Sequence, residues 1–418
     1  MTDGNEVPAS RQKVVVEHLY KVFGDDPEET IRRAAAGETK DRIYAETRSV
    51  AAVADVSFTV APGEIFVVMG LSGSGKSTLI RCLNRLIEPT RGRILLDGQD
   101  VVAMDAEALR ELRARKLSMV FQHFALFPHK TVGENVEFGL KVRGMPPGER
   151  REKALRALAQ VGLEAYADVP PDNLSGGMQQ RVGLARGLAV DPEIMLMDEP
   201  FSALDPLIRR DMQDELLALQ EQLHMTILFI THDLHEALRI GDCIAIMKDG
   251  RFVQTGTPEQ IVAAPADDYV AAFTRDVDRG RVFRMGRLSH EAPTVTPDDD
   301  PATARRRCEA HQVTGLHVVD ADGYPLGILV RTDLVSAEGR ALRDLMRPDF
   351  PAARADQELI ELYGECAKGL PIAVLDETGR LLGSVDPLRV FALLAGNGGE
   401  GQASPSAEAS APLAAREQ

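Results

Sequence analysis

Residues 70–78 read GLSGSGKST, and few segments restrict a fold as tightly. The pattern G-x-x-x-x-G-K-[ST] needs a strand to deliver it and a helix to leave it. Both flanks comply: the apolar run IFVVM at 65–69 reads as a buried strand, and residues 78–86 carry a helix-like pattern. Gly70, Gly73 and Gly75 let the backbone curl until successive N–H groups and a helix N-terminus face one anion, the seat of a β-phosphate. Lys76 reaches the β- and γ-phosphates as a point charge, and the Ser77 hydroxyl takes one position on Mg2+. Ser72, Ser74 and Thr78 complete the nucleotide-contacting loop. The implied fold class is α/β.

A second strand-like run, IMLM at 194–197, ends in Asp198-Glu199. That places two carboxylates at the carboxyl edge of a parallel sheet, where ligands of such sheets sit. Asp198 suits the metal and Glu199 the attacking water, although on spacing alone an Asp-Glu pair is more commonly a solvated strand end. A third run, TILFI at 226–230, closes on Thr231-His232-Asp233 and brings a histidine to the same edge, within reach of a γ-phosphate. Between the loop and the carboxylates lies LSGGMQQR, 174–181. A serine hydroxyl, close backbone approach at two glycines and a following helix N-terminus make it a second anion seat.

The ordered set GLSGSGKST, FQHFALFP, LSGGMQQR, IMLMDEP, SALD and THD resembles the nucleotide-binding subunit of an ABC transporter. The resemblance implies a P-loop NTPase with a RecA-like core and a helical subdomain, using ATP and Mg2+. It also implies a homodimer in which two copies face each other head to tail and trap two ATP molecules. Carried over by position, Ser175, Gly176, Gly177 and Gln180 would lie on the nucleotide held by the partner subunit's Lys76. Glu199, His232 and Gln122 take the catalytic positions. Ser77, Gln122 and Asp198 take the metal positions, and Gln122 also contacts the membrane subunits. Asp205 would couple the two sites. Phe23, in LYKVFG, stands where the family stacks an aromatic ring on adenine; Tyr20, three residues earlier, is the rival ring.

The resemblance narrows at an insertion spanning 25–50, whose stretches 28–36 and 40–47 read as short charged helices. With the wording around LDPLIR at 204–209 and a C-terminal appendage, it is similar to the glycine betaine/proline uptake ATPases of the ProV/OpuA type. That implies an import motor working with membrane permease subunits and, through them, an extracytoplasmic solute-binding protein. Its place would be peripheral, on the cytoplasmic face of the cell membrane. An importer of another small solute is the runner-up. A soluble ABC ATPase acting on nucleic acid or ribosomes fits poorly: this chain has one nucleotide core and a net charge of −16, and nucleic-acid binding feeds on clustered positive charge. The cargo itself is not written here, since the chain has no Trp and six Tyr and no reason to touch it.

At 418 residues the chain has room for more than one domain. The expected division is a tail at 1–13, the nucleotide-binding domain at 14–275, a linker at 276–282, two small domains at 283–338 and 339–396, and a disordered tail at 397–418. Residues 256–275 read as one or two closing helices interrupted by Pro265. No apolar run approaches the ~18–20 residues that span a bilayer. Cys82, Cys243, Cys308 and Cys366 are scattered without C-x-x-C spacing, which suggests neither a disulfide framework nor a zinc site.

The two small domains are an internal repeat. HVVDADGYPLGILVRTDL at 317–334 superposes on AVLDETGRLLGSVDPLRV at 373–390, matching Gly323 with Gly379 and Gly327 with Gly383. Each copy reads as a hairpin around a D-x-x-G turn, with helices expected at 302–310 and 356–367 before the hairpins. The β-α-β-β-α units resemble a tandem pair of CBS domains (α+β). Such pairs often hold adenosine nucleotides with a Thr three residues after the hairpin glycine and an Asp three beyond. Here those positions are Val330 and Asp333, then Asp386 and Arg389, a poor match. The arginines at 305, 306, 307, 331, 343 and 347 form either an anion-reading cluster or a solvated helix face.

Overall fold

The computed structural model describes residues 12–122, 125–335, 337 and 339–394. The expected disordered tail at 397–418, most of the N-terminal tail, and His123 and Phe124 of FQHFALFP lie outside the described residues. The chain divides into two compact units at Val277/Asp278.

The first unit is built on a six-stranded sheet in the order Arg251–Gly256, Cys243–Lys248, Ile65–Met69, Thr226–Thr231, Ile194–Asp198, Leu117–Val120. Neighbours in the last five are parallel and the first is an antiparallel edge. Central strands buried on both faces read as unbroken apolar runs, because alternate side chains enter different cores. Ile65, Val67 and Met69 pack on one face with Ile227, Phe229, Met195 and Met197. Phe66 and Val68 enter the other with Leu228, Ile230, Ile194 and Leu196. That second core is shared with an antiparallel sheet in which Val14–Phe23 lies between Val50–Val60 and Arg91–Leu96.

On the first face sits a three-helix layer: Val132–Val142, Pro147–Gln160 and Gly176–Leu188. Val132, Val136 and Leu140 recur at four-residue spacing, the stripe that lets a helix bury one side. The first of these helices opens with a capping box, Thr131 and Glu134 satisfying each other's backbone donors. The closing segment forms Pro258–Ala263 and Asp268–Thr274, split near Pro265 as its sequence implies.

The insertion forms its two helices, Pro27–Ala35 and Lys40–Thr47. Its neck closes at Gly24, whose φ of +132° and near contact with Ser49, 2.2 Å from a would-be Cβ, admit only glycine. Ile31, Ala34 and Ile43 bury against Tyr20, Val22, Ala51 and Ala54, and the buried Arg33 guanidinium pairs with Glu38 and Glu46, both at 2.6 Å. Arg251 donates to Ala34 O at 2.7 Å, so the insertion is fastened to the hairpin edge of the main sheet.

The second unit holds both repeats. Each makes a three-stranded sheet of one parallel and one antiparallel pairing: Thr294–Val295, Gly315–Val319 and Pro325–Val330, then Ala352–Arg354, Ile372–Leu375 and Leu381–Val385. The 56-residue offset survives in the register, Val318 opposite Gly327 and Val374 opposite Gly383. The helix expected at 302–310 spans Pro301–His311. Its counterpart at 356–367 shrinks to a 3-10 turn, Leu359–Leu362, and a short helix, Tyr363–Cys366. The cause is local: Arg354 grips Asp356 through two hydrogen bonds and its N–H donates to Gln357 Oε1, folding 354–357 into a turn that delays the helix. Residues 276–282, read as a linker, include the helix Arg279–Val282. The repeats meet at His317, buried and held neutral with its pKa pushed down to about 4, whose Nε2 lies 3.2 Å from Ser384 Oγ.

Candidate nucleotide-binding and hydrolysis site

The strand Ile65–Met69 is buried throughout and feeds the loop directly. Gly70 and Gly75 are required by close approach: a Cβ would stand 2.2 Å from Met247 O at one and 2.1 Å from Ala52 O at the other, with φ of +156° and +110°. The loop is braced from behind by Gly250 N–H, which donates to Ser74 O at 2.8 Å. The helix begins at Lys76 rather than at Thr78 and ends at Leu83, because Gly75 supplies the left-handed turn that starts it. Ser72 and Gly73 are exposed, Ser74 is buried, and Ser77 and Thr78 are half-buried.

Lys76 is only 4% exposed, and its Nζ donates to Gly70 O at 2.8 Å and Leu71 O at 3.0 Å. These bonds fold the ammonium back over the loop and hold it where phosphate oxygens would replace the carbonyls. Burial draws its pKa below the ordinary lysine value, while Glu199 and Asp198 pull the other way.

The strand Ile194–Asp198 delivers the carboxylates. Ser77 Oγ donates to Asp198 Oδ1 at 2.8 Å. A hydroxyl and a carboxylate side by side are hard oxygen donors, the set a Mg2+ ion accepts alongside phosphate oxygens and water. Gln122, exposed, follows two residues after the strand Leu117–Val120, which pairs in parallel with the carboxylate strand.

Glu199 turns the chain sharply. Its φ of +47° lies in the left-handed region that non-glycine residues enter at a cost. The turn is fixed by Glu199 N–H donating to Ile230 O at 3.0 Å and by Ser202 Oγ donating to Glu199 O at 3.0 Å. It swings the carboxylate away from the buried strand to face Lys76 Nζ at 3.8 Å and His232 Nδ1 at 2.9 Å. His232 leaves the end of Thr226–Thr231, as its sequence position implies. Lys76, Ser77, Asp198, Glu199 and His232 therefore converge at one sheet edge.

The LSGGMQQR residues are arranged differently. Ser175 caps the helix Gly176–Leu188, accepting from Met178 N–H at 3.4 Å. Ser175 and Gly176 are exposed, and Gly177 lies against Ile208, 2.6 Å from a would-be Cβ. Gln180 is 1% exposed and its Oε1 has no hydrogen-bond partner among the described residues. Asp205 is exposed and caps the helix Pro206–Leu223 by accepting from Ile208 N–H. Phe23 is 46% exposed under the Lys21 ammonium, whereas Tyr20 is 8% exposed and belongs to the insertion's core.

Two contributors escaped the sequence reading. Arg81 donates to Asp198 Oδ2 at 3.2 Å; its four-residue spacing from Ser77 on a helix was the available signal. Arg209 donates to Leu204 O and pairs with Asp233 at 3.1 Å, tying the turn before Asp205 to the residues after His232. Nothing in its local sequence announces that reach.

Residues 53–202 match the ABC transporter family model and residues 285–340 the CBS domain model. The chain is 48% identical over 388 residues to the glycine betaine transport ATP-binding protein OpuAA of Bacillus subtilis, covering 92% of this chain and 93% of that protein. This chain belongs to the glycine betaine transport family of ABC ATP-binding subunits. It is 46% identical to the glycine betaine/carnitine transport ATP-binding protein GbuA of Listeria monocytogenes, over 92% of this chain and 98% of the relative. A solved dimeric ATP-binding cassette in a post-hydrolysis state, bound to ADP and Pi, is 32% identical with a TM-score of 0.50, covering 59% of this chain and 98% of that one. As an ABC ATPase carrying a C-terminal CBS domain, the chain has the fold class its motifs implied.

Proposed function

We propose that this chain is the ATP-hydrolysing motor of an importer for glycine betaine, proline betaine or a related quaternary-amine osmoprotectant. The observation that carries the cargo class is the length of the similarity: at 48% identity it runs over 92% of this chain and so takes in the insertion and the appendage as well as the nucleotide core. Two copies would close head to tail on two ATP molecules, with Ser175 and Gly176, exposed at a helix N-terminus, reaching the nucleotide on the partner subunit's Lys76. Closure would pull on a permease. A groove of about 760 Å3, lined by Arg110, Met119, Phe138, Val142, Arg186 and Val190, suits a permease helix because it mixes exposed apolar side chains with charge. No helix among the described residues is long and apolar enough to cross a membrane. As the ATP-binding subunit of such an importer the motor would sit peripherally on the cytoplasmic face, with cargo choice left to the permease and a solute-binding protein.

The chemistry is in-line attack of water on the γ-phosphate. Lys76 binds the phosphates, Glu199 orients the water and draws on its proton, and His232 holds Glu199 and reaches the γ-phosphate. Mg2+, held by Ser77 and Asp198, would neutralise charge on the phosphates when bound. Phe23 gives adenine a flat apolar face. Phe23→Ala is expected to weaken ATP binding about tenfold, the scale of one lost base–aromatic stack, with turnover at saturating ATP nearly kept. An unchanged ATP dissociation constant removes Phe23 from the site.

ATPase activity of the reconstituted complex against glycine betaine, proline betaine, carnitine, choline and an unrelated amino acid, at several ionic strengths, tests the reading. Stimulation by the quaternary amines is the expected result. Stimulation by the amino acid alone assigns the motor to another importer. Regulation by the second unit belongs to the same proposal, and loss of the ionic-strength response on deleting residues 283–396 would support it. The arginine-rich face bears on what that unit reads. Arg307 lies 3.7 Å from Asp299, Arg343 3.1 Å from Asp298 and Arg347 2.7 Å from Asp333. Much of its charge is already answered within the unit, and Asp333, the one match to the family's nucleotide-holding Thr and Asp positions, is engaged by Arg347.

A further inference from the structure

Arg81 leaves the helix Lys76–Leu83 one turn after Ser77, so both side chains rise on the same face. Ser77 Oγ holds one oxygen of Asp198 at 2.8 Å and the Arg81 guanidinium holds the other at 3.2 Å. The two partners of that ion pair differ in burial: the Asp198 side chain is 3% exposed and that of Arg81 45%. A carboxylate buried that deeply needs a countercharge. Lys76, the cation of the loop itself, donates to Gly70 O and Leu71 O, stands 3.8 Å from Glu199 and acts on Asp198 through space without a hydrogen bond to it.

We propose that Arg81 is a positioning residue for the metal, its guanidinium supplying beside Asp198, in the nucleotide-free protein, the positive charge that Mg2+ brings with ATP. The buried carboxylate stays fixed between turnovers. The half-exposed arginine is free to swing into solvent as the ion arrives, a movement that costs little for a side chain already half in water. Arg81 thus competes with Mg2+ while holding the site open for it. The inference rests on Asp198 serving the metal, as assigned above.

The test uses Arg81→Met, which keeps the aliphatic stem, and Arg81→Lys, which keeps the charge. Mg2+ is titrated at a fixed concentration of a non-hydrolysable ATP analogue with equilibrium nucleotide binding as the readout, and thermal unfolding is followed with and without the analogue and Mg2+. Arg81→Met is expected to lower the half-saturating Mg2+ concentration about fivefold, the scale of a half-exposed ion pair, with Arg81→Lys close to wild type. Its melting temperature should fall in the nucleotide-free protein and return to the wild-type value with analogue and Mg2+. A Mg2+ midpoint that stays put or rises overturns the proposal, and so does an equal loss of melting temperature in both conditions, which marks a plain structural ion pair. Asp198→Asn separates the two readings. If it leaves the Mg2+ midpoint unmoved, the assignment of Asp198 fails; if it moves the midpoint while Arg81→Met does not, only the role of Arg81 fails.

Discussion

Glu199→Gln is expected to bind ATP, form a stable ATP-dependent dimer and hydrolyse the nucleotide roughly 10²–10⁴-fold more slowly than wild type, the range for removing a positioned general base. The amide is isosteric with the carboxylate, and the strained backbone that aims it is fixed by Glu199 N–H, Ile230 O and Ser202, none of which changes. What changes is the loss of proton affinity at the oxygens facing His232 at 2.9 Å and Lys76 at 3.8 Å. Size-exclusion chromatography with ATP separates dimer from monomer, and single-turnover phosphate release measures the chemical step. The wild-type rate in that assay would remove Glu199 from the reaction, whatever the dimer does. A variant that neither binds ATP nor dimerises would point instead to a structural role.

The candidate nucleotide site was legible in the sequence because its parts are local. A phosphate loop needs glycines at close approaches and a lysine at a fixed offset, and Gly70, Gly75 and Lys76 meet those needs within a handful of residues. The strands that carry Asp198 and His232 announced themselves by apolar runs, because the sheet is covered on both faces. The hairpins of the second unit were legible for a related reason: a D-x-x-G turn fixes its own geometry, as Gly323 and Gly379 show with φ of +87° and +89°.

What escaped depended on contacts across the fold. The choice between the two rings proposed for adenine could not be made from spacing, since Tyr20 and Phe23 lie on the same strand; the insertion's packing, which buries Tyr20 with Ile31 and Ile43, is what distinguishes them. The expected helix at 356–367 failed through a short-range competition, Arg354 capturing Asp356 before the helix could start. Arg81 carried a helical offset from Ser77, yet its partner lies 117 residues away. The half of the site proposed for LSGGMQQR is a different kind of silence. Its motif is plain in the sequence, but Ser175 and Gly176 are exposed at a helix N-terminus, apart from the edge where Lys76, Asp198 and Glu199 converge, and the proposed pairing needs a second chain.

That incompleteness makes the largest prediction. Lys76→Ala removes the ammonium of each chain's own loop, and Ser175→Arg fills the seat offered to the other chain; each alone is expected to cut ATPase turnover by about 10² or more, the cost of losing a main phosphate contact. Ser175→Arg also gives up a helix cap worth about 1 kcal/mol, which the fold can bear. In a mixed dimer, one site draws its lysine from the Ser175→Arg chain and its serine from the Lys76→Ala chain, so one of two sites is intact. Random pairing makes half the dimers mixed, so a mixture of the two inactive proteins should recover roughly a quarter of wild-type turnover per chain under two-fold symmetry. Putting both substitutions in one chain and mixing it with wild type gives the control, because its mixed dimers contain no intact site. If equal parts of the two single variants stay as inactive as either alone, the second anion seat does not act across the dimer. The serine would then be a helix cap and nothing more, and a one-chain ATPase cycle would have to replace the two-chain one.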